Sequence, residues 1–140
     1  MRSRVYETSS EEETIALGAE LARELPAQAV VLLTGNLGAG KTTIAKGIVE
    51  GLGAAVREDV SSPTFTLIHE YSPAVYHIDL YRLEEAGEVA RLGLDELFDR
   101  QAVVLIEWGE RFPELMPRER SEIRMERLAD DRRRIEVVRY

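Results

Sequence analysis

The run AVVLLTGNLGAGKTTIAKGIVEGLG, from Ala29 to Gly53, carries three signals in immediate succession. AVVLLT is a short, continuous apolar stretch rich in β-branched residues, the composition of a strand buried on both faces. A glycine-rich segment follows without a spacer. Ile44, Ile48, Val49 and Leu52 then recur at helical spacing, with Gly51 and Gly53 as stop signals. A strand that turns through glycines straight into a helix commits the chain to an α/β architecture. Gly35, Gly40, Lys41 and Thr42 also satisfy G-x-x-x-x-G-K-[ST], the pattern of a phosphate-binding loop. At this chain's residue frequencies the pattern would arise by chance in about one such sequence per thousand, and the flanking strand and helix lower that further.

The rest of the chain fits around this unit. Ser10 and Glu13 match the S-x-x-E capping box, and Ile15, Leu17, Leu21, Ala22 and Leu25 form a helical stripe that Pro26 ends. VSSPTFTLIHEY reads as a loop around Pro63 followed by a strand. VYHIDLY reads as another strand, with Tyr76, Ile78 and Leu80 on one face and His77 and Asp79 on the other. Residues 84–100 are helix-prone with a break near Gly93, and AVVLIEW is a second buried strand that ends in an acid. SEIRMERL and RRRIEVVRY alternate with period two around ADD, which predicts an antiparallel hairpin. The expectation is one P-loop NTPase domain over residues 1–140. Its mostly parallel central sheet is flanked by helices and carries antiparallel additions, including the C-terminal hairpin.

Composition narrows the function. A chain of 140 residues without cysteine has no disulfides, thiolate metal sites or cysteine nucleophiles. No apolar leader region or run of transmembrane length is present, so a cytoplasmic location and no membrane contact are expected. The net charge of −8 opposes a nucleic-acid backbone. Lysine occurs only at 41 and 46, so one of the two lies inside the phosphate loop. The same scarcity leaves no N-K-x-D guanine motif, and ATP is favoured over GTP.

The glycines let successive N–H groups turn toward phosphate oxygens, and the helix that starts there adds its positive end. Gly35, Asn36, Leu37, Gly38, Ala39, Gly40, Lys41, Thr42 and Thr43 are therefore the candidate ATP/ADP-binding residues. Lys41 would reach the β- and γ-phosphates and the Thr42 hydroxyl would ligate Mg²⁺. Glu107, at the end of LIEW, is placed to act near the metal and the attacking water. Asp79 could hold a metal-bound water or orient the nucleophile, so catalytic roles fall to Lys41, Asp79, Glu107 and Thr64. Water positioning by Asp79 and by Glu107 are both open. His77 reads as structural, a satisfied surface partner of Asp79. For Trp108, packing and ligand stacking both stand.

GNLGAGKTT, SSPTFTLIHEY, YHIDLYRL and IEWGER, in this order and spacing, resemble the TsaE family, with the capped helix around Thr14 and Gly18 in further agreement. The likeness spans most of the chain from Thr8 to Arg111. It implies a small bacterial ATPase needed to make threonylcarbamoyladenosine in tRNA. It also implies Thr42 and Glu107 as magnesium ligands, a functional threonine at Thr64 and an essential aspartate at Asp79. The implied partners are TsaD and TsaB, which together transfer the threonylcarbamoyl group to adenosine 37 of tRNAs reading ANN codons. Where many members carry aspartate after the first loop glycine, this chain has Asn36. That change removes a charge and keeps a hydrogen-bonding side chain.

Glu11, in the segment from Thr8 to Thr14, and Arg132 and Arg133 are weaker candidates for adenine and α-phosphate contacts. Two other activities fit the loop. One is a small-molecule kinase with the arginines at 132–134 as a phosphate lid. The other is a switch that binds ATP without hydrolysing it. Tight binding of free tRNA is not expected of so acidic a chain.

Overall fold

The computed structural model describes residues 2–63 and 66–140. It contains seven strands and four α-helices: β1 (Arg2–Thr8), α1 (Glu11–Glu24), β2 (Ala29–Thr34), α2 (Lys41–Gly51), β3 (Ile68–Ser72), β4 (Val75–Asp79), α3 (Ala86–Ala90), α4 (Leu94–Phe98), β5 (Val103–Glu107), β6 (Ser121–Ala129) and β7 (Arg132–Arg139). All strands join one sheet in the order β1-β7-β6-β2-β5-β4-β3. β6, β2, β5 and β4 run parallel at the centre. β7 and β1 extend one side antiparallel, and β3 extends the other.

Alternation along the strands builds a core on each face of this sheet. Val31, Leu33, Leu105, Ile123 and Ile135 face α1 and α2. Val30, Leu32, Tyr76, Ile78, Val104 and Ile106 face the opposite side with Leu80, Val89 and Leu94. β2 and β5 read as unbroken apolar runs because both of their faces are covered.

α1 starts where its sequence says. Ser10 Oγ accepts a hydrogen bond from the Glu13 amide at 3.1 Å, while the Glu13 carboxylate accepts from the Ser9 amide at 2.8 Å, one residue earlier than a reciprocal box would have it. α1 and α2 pack unusually close. A Cβ at Gly47 would lie 2.0 Å from the Ile15 carbonyl oxygen, and one at Gly18 would lie 2.6 Å from that of Ile44. This contact fixes the position of α2, whose first turn carries the candidate phosphate-binding residues.

Gly93 separates α3 from α4 in a left-handed conformation (φ 72°), as its place in the helix-prone segment predicts. Asp130, also left-handed, turns the β6–β7 hairpin. β1 is the element that periodicity does not reveal. RSRVYET has no apolar face, its Val5 is exposed, and only Thr8 is buried. It is a strand because its seven residues pair with β7. No helix among the described residues is long and apolar enough to cross a membrane.

Candidate nucleotide-binding site

β2 ends at Thr34 and α2 begins at Lys41, so the glycine loop is a six-residue bridge at the C-terminal edge of the sheet. Gly40 holds φ 106°, a left-handed angle that a side chain would strain, and from there the chain enters the helix. Among the described residues no side chain caps α2, and no acid sits in its first turn. The first-turn amides are thus left to an anion, and the helix dipole favours one there.

An open cleft of about 410 Å³ lies over this turn. Leu37, Gly38, Gly40, Lys41, Thr42 and Thr43 contribute the loop side, and Asp79, Glu107 and Trp108 the strand-end side. Gly35, Asn36 and Ala39 line a separate groove on the β6 side of the loop, beside Met125, Glu126 and Arg127. The departure at Asn36 therefore lines that groove and not the cleft that Asp79 and Glu107 line.

Lys41 is almost fully enclosed. Its Nζ donates to the Gly35 carbonyl at 2.9 Å and lies 3.7 Å from the centroid of the Trp108 ring, a cation–π contact. Burial pulls the Lys41 pKa below its ordinary value, while Glu107, Glu110 and Asp79 favour the charged form. Trp108 adopts a left-handed φ of 67°, rare for a bulky side chain. Its ring also meets Tyr81 at 5.2 Å between centroids.

The parallel register sets Asp79 beside Glu107 at the ends of β4 and β5, and both carboxylates are buried. Their partners differ. Asp79 Oδ1 accepts from the Tyr81 amide at 2.8 Å and Oδ2 from the Ser62 hydroxyl at 3.2 Å, so Asp79 ties the Ser62 loop to the turn after β4. Glu107 Oε2 lies 2.6 Å from His77 Nε2, and Oε1 has no hydrogen bond among the described residues. His77 is wholly buried. The expected surface pair with Asp79 is replaced by a buried pair with Glu107, because β4 is covered on both faces.

The donor set fits magnesium. Thr42 supplies a hydroxyl and Glu107 a carboxylate to the same cleft. Among the described residues no group of three or more His, Asp or Glu could hold a metal by itself. So sparse a set suits Mg²⁺, which is commonly held by one or two carboxylates with substrate phosphates completing the shell.

The remaining candidates separate. Arg133 reaches the cleft, with its Nε 3.5 Å from where a Gly40 Cβ would stand. Arg132, one residue earlier, points to the other face of β7 and pairs with Glu7 at 3.4 Å. Alternation along the strand thus removes Arg132 from the phosphate region, and the arginines at 132–134 begin a paired strand instead of forming a lid. Glu11 lines a smaller pocket with Thr14, Thr43, Asp131 and Arg133. Thr64 lies outside the described residues. Ser62, Tyr81 and Asp131 line these pockets without having been singled out from sequence. Ser62 and Tyr81 stand inside the SSPTF and HIDLYR motifs, but nothing in the spacing marks them above their neighbours.

Residues 8–135 match the family model described as threonylcarbamoyl adenosine biosynthesis protein TsaE. The tRNA threonylcarbamoyladenosine biosynthesis protein TsaE of Bacillus subtilis is 44% identical over 138 residues, covering 96% of this chain and 85% of that protein. The protein of the same name from a Nostoc species is 45% identical over 112 residues, covering 75% of this chain and 67% of its own length. The crystal structure of Bacillus subtilis YdiB superposes with a TM-score of 0.80 at 37% identity, over 99% of this chain and 86% of that one. With the family model spanning nearly the whole chain and relatives this similar, the chain belongs to the TsaE family.

Proposed function

We propose that this protein binds and hydrolyses Mg²⁺–ATP as an accessory to the formation of threonylcarbamoyladenosine in tRNA, acting with TsaD and TsaB. The observation that carries the reading is the convergence of uncapped first-turn amides, Lys41 and two buried strand-end carboxylates on one cleft. The names of the relatives supply the pathway.

The chain's own residues divide the work. The loop amides and the α2 N-terminus receive phosphate oxygens, and Lys41 exchanges the Gly35 carbonyl and the Trp108 face for phosphate. Arg133 adds a second cation over Gly40 from β7. Thr42 and Glu107 would hold the metal, which would supply charge neutralisation at the phosphates. Both Asp79 oxygens already have donors, whereas Glu107 Oε1 has none among the described residues. Glu107 is therefore assigned to metal and water placement, and Asp79 to positioning the Ser62 loop and the turn that carries Tyr81. Isolated turnover is expected to be slow and to rise when the partners dock.

Glu107→Ala tests the assignment, with nucleotide affinity and phosphate release measured on the same preparation. Hydrolysis is expected to fall by more than about tenfold while ADP affinity changes little, since metal and water placement matter most in the transition state. Equal losses in both would make Glu107 a binding residue. Unchanged hydrolysis would remove it from the site.

A further inference from the structure

We propose that His77 is the positioning residue for Glu107, fixing which carboxylate oxygen faces the metal. The inference rests on the reading above that Glu107 serves Mg²⁺. Register explains the reach. His77 sits opposite Leu105 on the neighbouring parallel strand, two residues before Glu107, so its imidazole crosses diagonally toward the strand end. The 2.6 Å contact between Nε2 and Oε2 is short for an N–H···O hydrogen bond, and it is read with the carboxylate accepting from Nε2–H. That bond engages Oε2 and leaves Oε1 without a hydrogen bond among the described residues. A metal-ligating carboxylate held by a donor behind it is a recurrent arrangement.

Packing alone gives no reason for histidine at this position. Its side chain is fully buried in the sheet, and Nδ1 is buried without a hydrogen-bond partner among the described residues. An unpaired buried nitrogen weakens a fold, and leucine would fill a comparable volume without it. What histidine supplies and leucine lacks is the Nε2–H donor. The same bond sets the tautomer: Nε2 is protonated, and Nδ1 carries the lone pair.

Three measurements on the full-length chain decide the matter. In His77→Leu, the Mg²⁺ concentration that half-saturates the ADP-bound protein is expected to rise about 10- to 100-fold. ADP affinity without metal is expected to stay within about twofold of the parent, since His77 does not line the cleft. His77→Gln, which keeps an amide donor near the Nε2 position, is expected to recover most of the loss. Nitrogen NMR of the nucleotide-free parent is expected to show the Nε2–H tautomer, a readout that needs neither metal nor a stable variant. An unchanged Mg²⁺ midpoint in folded His77→Leu overturns the assignment. So does a glutamine variant as impaired as leucine, or an Nδ1–H tautomer. Phosphate release is read separately: a parent that binds Mg²⁺ through this pair but releases no phosphate sinks hydrolysis and leaves His77 standing.

Discussion

Replacing Gly47 by alanine isolates the contact that positions the phosphate-binding helix. Alanine is the better helix former by about 1 kcal/mol, so local propensity alone predicts a gain. The structure predicts a loss. The new methyl would lie 2.0 Å from the Ile15 carbonyl oxygen and 3.0 Å from the Gly18 Cα, and a rigid backbone atom of α1 cannot swing aside. Bringing that first contact to 3.0 Å, a separation real Cβ atoms rarely undercut, requires α1 and α2 to part by about 1 Å. A gap of that size forfeits a quarter to a half of the dispersion energy along the interface. Overpacking of this kind costs about 1–3 kcal/mol, with more for a backbone clash. A net loss of about 3 kcal/mol follows, which lowers Tm by about 10 °C for a chain of this size. The control is Gly87→Ala in α3, where a Cβ meets nothing within 4 Å, and a gain of up to about 1 kcal/mol is expected. Thermal melts of both variants without nucleotide are the assay. If Gly47→Ala matches or exceeds the parent, the close approach of α1 and α2 does not hold in solution.

The other expectations concern the cleft. Trp108 is expected to change its fluorescence when nucleotide binds, because the Lys41 ammonium now 3.7 Å from its ring must leave for the phosphates. A flat signal with binding confirmed by calorimetry would refute that exchange. Burial holds the Lys41 pKa below the ordinary lysine value, and its charged form serves phosphate. Metal-free ADP affinity is therefore expected to fall as pH rises through that lowered value, before an ordinary lysine would titrate near pH ~10.4. The free fold moves oppositely: the unfolded chain keeps the lysine proton to higher pH, so this group's contribution to stability improves as pH rises across the same window. Lys41→Met is expected to abolish both trends, and their persistence would place the titration elsewhere. Free tRNA is expected to bind weakly to a chain of net charge −8, and tight, salt-sensitive binding would reveal a basic surface this account lacks.

What could be read from the sequence follows from where periodicity and steric demand operate. β2, the glycine loop and α2 were legible because burial on two faces, positive φ and helical spacing each leave a residue signature. The same logic located β5 with its terminal Glu107, the break at Gly93 and the β6–β7 hairpin. β1 was not legible, since an edge strand that buries only Thr8 and part of Tyr6 carries no apolar pattern and is held by its partner's backbone. The His77–Glu107 bond was hidden for a related reason: it depends on which strands become neighbours, a property of topology that local spacing does not encode. Arg132 and Arg133 show the limit of reading charge clusters. One residue of register sends the first to Glu7 and the second to the loop.

Phosphate release from Mg²⁺–ATP, measured with the isolated protein and again after adding TsaD and TsaB, bears most directly on the proposed activity. The cleft holds Lys41, Thr42 and Glu107 together, with Arg133 beside Gly40. Slow, magnesium-dependent turnover alone and a clear acceleration by the partners is the predicted result. Full-rate turnover that the partners leave unchanged, or ATP binding with no phosphate release under either condition, would contradict it.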